Sequence, residues 1–148
     1  MSEHKVIVRW KRTSEDFNYE TYSRDHEVEF EGGIKINASA APSFKGNAAY
    51  VDPEEAFVGA LSSCHMLTFL AVAAYKKIII DQYDDQAVGY LEKNAEGKMV
   101  VKRVELNPVV KFSGNEVPDQ EAIKLLHEKA HQQCFIANSV KTEVTVNT

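Results

Sequence analysis

The chain has two cysteines, Cys64 and Cys134. A pair of thiols in a chain of this size points to inert core residues, a metal site or redox chemistry. Cys64 lies inside an uncharged stretch, and Cys134 closes the series His127, His131, Cys134. That series has the i, i+4, i+7 spacing of one helix face. With Cys64 as a fourth ligand it would make a Cys2His2 set suited to zinc. Three charged residues near the apolar stretch, Arg24, Glu54 and Glu55, complete the chemically capable groups.

Redox use of Cys64 has a definite requirement. A thiol near its ordinary pKa of about 8.5 is mostly protonated at neutral pH, and apolar burial raises that value. Cys64 sits too deep in its segment for a helix N-terminus to help. A reactive thiolate there needs a cation, and an arginine suits: it is permanently charged, and its planar fork can pair with a carboxylate while facing sulfur. A thiolate that attacks a peroxide becomes a sulfenic acid, which a second thiol condenses to a disulfide. One cysteine in a core helix and one at a helix end fit attacking and resolving roles. His65, beside the thiol, reads first as a core histidine. A third reading is a non-enzymatic dimer whose interface groove binds an apolar ligand.

The elements that must position these groups follow from pattern. Asp52 to Tyr75 predicts a long helix, with Asp52 as N-cap, Pro53 at the first position and Glu54 and Glu55 at the positive end of the dipole. Lys76 and Lys77 suit its C-terminal end. A helix apolar on nearly every face is expected to be buried on nearly every face. Strands are predicted at Lys5 to Lys11, half-buried, around Arg24 to Phe30, from Ile34, at Gln86 to Lys93 and at Met99 to Leu106, with Val109 to Phe112 continuing the last. Gly32-Gly33 and Asn94 to Gly97 read as turns, Thr13 to Asn18 as a polar loop and Ile78 to Ile80 as a short apolar run. A second helix runs from Pro118-Asp119 to about Gln133, with His127 read as a metal ligand or a solvated residue. Cys134 to Asn138 ends it, and Val140 to Val146 alternates as a final strand. The class is α+β, a single domain over 1–148, with antiparallel sheets around the long helix. One small sheet covers such a helix poorly, so a homodimer is expected.

Composition narrows the function. The 148 residues are 44% hydrophobic with net charge −5 and no basic run, which argues against nucleic acid. The uncharged run is marginal for a bilayer and interrupted by Ser62, Ser63, His65 and Thr68, so no membrane span is expected. Met1 to Trp10 has no signal-peptide core, and a cytoplasmic location is the expectation.

Three motifs, in order, resemble the OsmC/Ohr family of cysteine-dependent peroxidases. They are Asp52-Pro53-Glu54-Glu55-Ala56-Phe57 with Cys64 ten residues after Glu54, Ala130-His131-Gln132-Gln133-Cys134 running into Asn138, and Arg24-Asp25 ahead of Gly33. The last matches the spacing of the family's glycine-flanked active-site arginine. The resemblance covers essentially the whole chain. It implies an intertwined homodimer with the long helices at its centre. By resemblance Cys64 is the peroxidatic cysteine, Cys134 the resolving one, and Arg24 with Glu54 the pair that polarises thiolate and hydroperoxide. It implies organic hydroperoxides, sometimes hydrogen peroxide, as substrates, and a dithiol such as a protein-bound lipoyl group as reductant. No cofactor is implied. Tyr22-Ser23 stands where some members have Gly-Gly, and Phe135 where many have Pro, which sets the chain nearer OsmC-like proteins. Ten residues of straight helix are about 15 Å of rise and about 80° off one face, so Glu54 and Cys64 cannot touch within one helix. Either the helix kinks near Gly59, or each site takes Glu54 from the partner chain. The second is the expectation.

Overall fold

The computed structural model describes residues 1–148, in two compact units, Met1–Ala56 and Phe57–Thr148.

The N-terminal unit is an antiparallel sheet of β1 (Val6–Arg9), β2 (His26–Phe30) and β3 (Lys35–Ala38), with Val8, Val28 and Ile36 in register. The second strand starts at His26, so Arg24 lies in the preceding loop rather than in a strand. The expected half-burial of the first strand is not found: Val6, Ile7 and Val8 are 55%, 49% and 62% exposed. Both faces of this four-residue strand lie open because no second layer of the unit covers them. After β3 the chain folds tightly. Ser39 is fully buried, donates to Asp25 Oδ1 (2.9 Å) and accepts from the Asn47 N–H (3.1 Å). A 3-10 turn, Pro42–Phe44, follows, and a bridge pairs Ala38 with Val51.

Helix α1 (Pro53–Tyr75) is uninterrupted. Asp52 caps it by accepting the Glu55 N–H at 2.8 Å. At its other end Lys77 adopts φ 59, and the N–H groups of Lys77 and Ile78 return to the carbonyls of Ala74 and Ala73. This is the left-handed closure that satisfies terminal carbonyls. By length and hydropathy alone α1 would also cross a membrane. Its buried stripe is that of a core helix: Leu61, His65, Phe69, Val72 and Ala73, at spacings of four and three, point into the C-terminal unit. The opposite stripe is open, with Leu67 60% and Tyr75 90% exposed. The expected burial on every face therefore does not hold within one chain.

The C-terminal unit contains β4 (Ile79–Asp85), β5 (Val88–Lys93), β6 (Met99–Leu106), β7 (Pro108–Ser113), α2 (Gln120–Gln133), α3 (Phe135–Asn138) and β8 (Glu143–Val146). β4 pairs with β7, while β5, β6 and β8 form a second sheet. Two cores result. Phe69 and Val72 pack with Leu126 and Ala130 of α2 over Ile80, Tyr83, Val110 and Phe112. Leu61 packs on Val104 and Leu106 with Val144 and Val146 around them. Gly89 allows this approach, since a Cβ there would stand 2.4 Å from Val58 Cγ2. One pairing departs from expectation: β8 lies parallel to β6. The long excursion through β7 and α2 brings the chain back to the starting end of β6, which only a crossover can do.

Candidate active site

Cys64 and Cys134, 70 positions apart in sequence, lie side by side in the C-terminal unit, both as free thiols. Cys64 sits half-buried at the border between the buried and open stripes of α1. Its carbonyl accepts the Thr68 hydroxyl at 2.8 Å. Cys134 is buried at the break between α2 and α3. The expected helix end is thus a corner: the Cys134 N–H reaches back to the His131 carbonyl at 3.4 Å, and its Sγ caps α3 by accepting the Ala137 N–H at 3.4 Å. Burial, then the neighbouring Cys64, push the Cys134 thiol above its ordinary pKa, while the Ala137 N–H opposes them.

A cleft of about 750 Å³ opens beside Cys64. Leu67, Ala71 and Phe135 give it an apolar wall, and Ser63, Gln133 and Asn138 supply neutral polar groups. No charged side chain lines it. A hydrophobic small molecule could reach the Cys64 sulfur here, but a thiolate would find no counter-charge in the cleft lining.

The histidines take a different place from a metal set. His65 Nε2 and His127 Nδ1 hydrogen-bond at 3.0 Å in the core between α1 and α2, and the His127 ring stacks on Phe69 with centroids 4.2 Å apart. Burial lowers both pKa values to about 4. For His65 the neighbouring His127 and His131 add to the lowering, while Asp85 opposes it for both. The pair is neutral at pH 7, one ring donating and the other accepting. His127 is therefore neither solvated nor free to join His131 and Cys134 around zinc. No three His, Cys, Asp or Glu side chains converge as a metal site. Helical spacing held for His127 and His131, but Cys134 lies past the end of α2 in extended backbone, and spacing could not say which way the histidine face looked.

Arg24 and Glu54 belong to the N-terminal unit. Neither forms an ion pair within the chain. Arg24 is held by its own loop: Nη2 donates to the Tyr19 carbonyl at 2.6 Å and Nη1 to the Tyr22 carbonyl, with the guanidinium carbon 3.6 Å from the Tyr22 ring centroid. His26 Nδ1 bonds the Arg24 carbonyl at 2.8 Å, fixing the backbone from below. Glu54 is a half-buried first-turn residue of α1, and Cys64 follows ten positions later in the same unbroken helix. The aromatic groups around Arg24 were not singled out from sequence. The density of rings at positions 10, 17, 19 and 22, of which only Phe17 falls within the Thr13 to Asn18 stretch read as polar loop, was the available signal.

The family model described as OsmC-like protein matches residues 46–148. Among solved structures, an OsmC-like protein of unknown function from Vibrio cholerae is 52% identical, with TM-score 0.95 and 99% of each chain covered. An organic hydroperoxide resistance protein from Legionella pneumophila is 21% identical, with TM-score 0.69, covering 99% of this chain and 96% of that one. The organic hydroperoxide resistance protein OhrB of Bacillus subtilis is 19% identical, with TM-score 0.68 and coverage of 99% and 97%. These last two show the shared fold. No curated protein gave a match. With 103 of its residues under the family model and a near-superimposable relative, this chain belongs to the OsmC-like family.

Proposed function

We propose that the protein is a thiol-dependent peroxidase that reduces organic hydroperoxides, with hydrogen peroxide as the smallest substrate of the same chemistry. The observation that carries this reading is the juxtaposition of Cys64, open to an apolar cleft, with Cys134 behind it. The Cys64 thiolate attacks the distal peroxide oxygen. The O–O bond breaks, the alkoxide takes a proton and leaves as an alcohol, and sulfur is oxidised to sulfenic acid. The Cys134 sulfur then attacks Cys64 sulfur. The S–S bond forms, the S–O bond breaks, and hydroxide leaves as water with the Cys134 proton. A dithiol, such as a lipoyl group carried on a protein, returns two electrons by thiol–disulfide exchange. Sulfur carries both electrons, so the step needs no metal or organic cofactor.

The neutral cleft implies that the charge for the thiolate comes from outside the cleft lining. In this reading Arg24 supplies it and Glu54 orients the guanidinium, with a homodimer bringing Glu54 of one chain to Cys64 of the other. The uncovered apolar stripe of α1 supports that assembly. The protein would serve in the cytoplasm in defence against oxidative or osmotic stress. The test is peroxide consumption with cumene hydroperoxide and dihydrolipoamide, alongside thiol counting. Cys64→Ser should abolish turnover. Cys134→Ser should still consume one equivalent and stop at the sulfenic acid, which a dimedone probe traps. Full turnover by Cys64→Ser would refute the reading.

A further inference from the structure

The C-terminal unit holds a groove of about 460 Å³ between the C-terminal end of α1 and one face of α2. Its floor is apolar, made by Ile78, Leu125 and Leu126. Leu126 belongs to the buried core with Phe69 and Val72, and Ile78 packs against that core, so the floor is held from beneath. Leu125 is 55% exposed in the free chain. The rim carries two cations, Lys76 and Lys129, and one anion, Glu128. Neither lysine forms an ion pair with any carboxylate of the chain, Glu128 included. The groove shares no residue with the Cys64 cleft, and Leu67, the most exposed leucine of α1, is not part of it.

Two lysines against one glutamate leave the rim net positive, in a chain whose net charge is −5. Lysine stems lie along apolar surface while their ammonium heads stay in water, so the rim offers its charge directly above the apolar floor. That combination is complementary to an amphiphilic anion. We infer that this groove binds unbranched medium-chain carboxylates, with the alkyl chain over Ile78, Leu125 and Leu126 and the carboxylate on Lys76 and Lys129. The volume lies at the lower end of small-molecule sites and suits a chain of about eight carbons rather than a full-length lipid. The Lys76 N–H bonds the carbonyls of Val72 and Ala73 at 3.2 and 3.1 Å, so one cation projects from a fixed helix end. Ammonium groups act as point charges without the planar fork of arginine. The groove therefore selects the sign of the head group and the length of the chain.

The experiment titrates the full chain with hexanoate, octanoate, 1-octanol and octylamine by calorimetry. Octanoate should bind saturably. Each methylene buried adds about fourfold in affinity, so hexanoate should bind about tenfold more weakly. Octanol, with the chain but no charge, should bind about fivefold more weakly than octanoate, and octylamine more weakly still. Lys76→Gln combined with Lys129→Gln should erase the preference for octanoate over octanol, and Leu125→Asn should weaken both. Methyl NMR of the unaltered chain makes the same test without substitution: octanoate should shift the methyl signals of Ile78, Leu125 and Leu126. Equal affinity for octanoate and octylamine would overturn the inference. So would shifts confined to Leu67, which would put the ligand in the Cys64 cleft, or Leu125 signals that respond to protein concentration and not to octanoate, which would make a second copy of the chain the occupant. None of these readouts involves a thiol, so loss of the peroxidase reading leaves them unchanged.

Discussion

His65 and His127 share the hydrogen bond that joins α1 to α2 beside the cysteine pair, and their protonation has a direction that can be worked out. Both fall from an ordinary value of 6.5 to about 4 in the folded chain. Between those values the unfolded chain binds more protons than the folded one. Stability is therefore complete above about pH 6.5 and declines as pH drops towards 4, by up to about 1.4 kcal/mol per pH unit for each ring. Urea unfolding at a series of pH values should show the midpoint falling through that window. His127→Leu should cost about 1–3 kcal/mol at pH 7, because it leaves His65 Nε2 unpaired, and should roughly halve the pH slope. A midpoint unchanged between pH 7 and 5 would contradict the buried neutral pair. At this scale the sequence revealed the thiols, the Asp52 cap and the opening of the second helix at Pro118-Asp119, where Asp119 caps it, because these depend on local spacing. It did not reveal the partner of His127, which depends on a helix 62 residues away.

The segment between β3 and α1 shows how an element is set by one atom. A Cβ at Gly46 would stand 1.5 Å from the Ala40 carbonyl oxygen, a backbone atom that cannot step aside. The same fold holds Ser39 on Asp25, and so the loop of Arg24. Gly46→Ala should destabilise the protein by about 3 kcal/mol or more, read as a shift in urea midpoint. Gly32→Ala, where nothing lies within 4 Å and φ is not positive, should stay within about 0.5 kcal/mol. Comparable losses from both would remove the close approach as the cause. Elements with an unbroken period were legible in advance: β6 spans Met99–Leu106 as its pattern predicts, and α2 ends at Gln133. β4 was visible only as Ile78 to Ile80. Its register shifts between Ile80 and Gln82, and such a bulge erases the alternation that marks a strand. The parallel partner of β6 was hidden for another reason, since pairing direction follows the route of the whole chain.

One chain of 16.6 kDa leaves α1 with an open stripe of Ala60, Leu67, Ala71 and Tyr75. A lone exposed leucine is unremarkable, whereas a continuous apolar stripe along a helix marks a surface meant to be covered. Leu67→Glu separates the two cases. In an isolated chain residue 67 is 60% exposed, so the change should cost within about 0.5 kcal/mol. In a dimer packed through this stripe it buries a carboxylate without a partner, at a cost of several kcal/mol, and the subunits should part. Sedimentation should give twice 16.6 kDa for the parent chain and 16.6 kDa for the variant, with the far-ultraviolet dichroism unchanged. A parent chain sedimenting as a monomer would end the dimer proposal. If the dimer holds, subunits carrying Cys64→Ser mixed with subunits carrying Glu54→Ala test whether each site draws on both chains. Random exchange makes about half the dimers mixed, each with one intact composite site, so about a quarter of parental activity should return. Mixed dimers that form and stay inactive would instead place Glu54 and Cys64 of one chain in the same site, which the unbroken helix between them opposes.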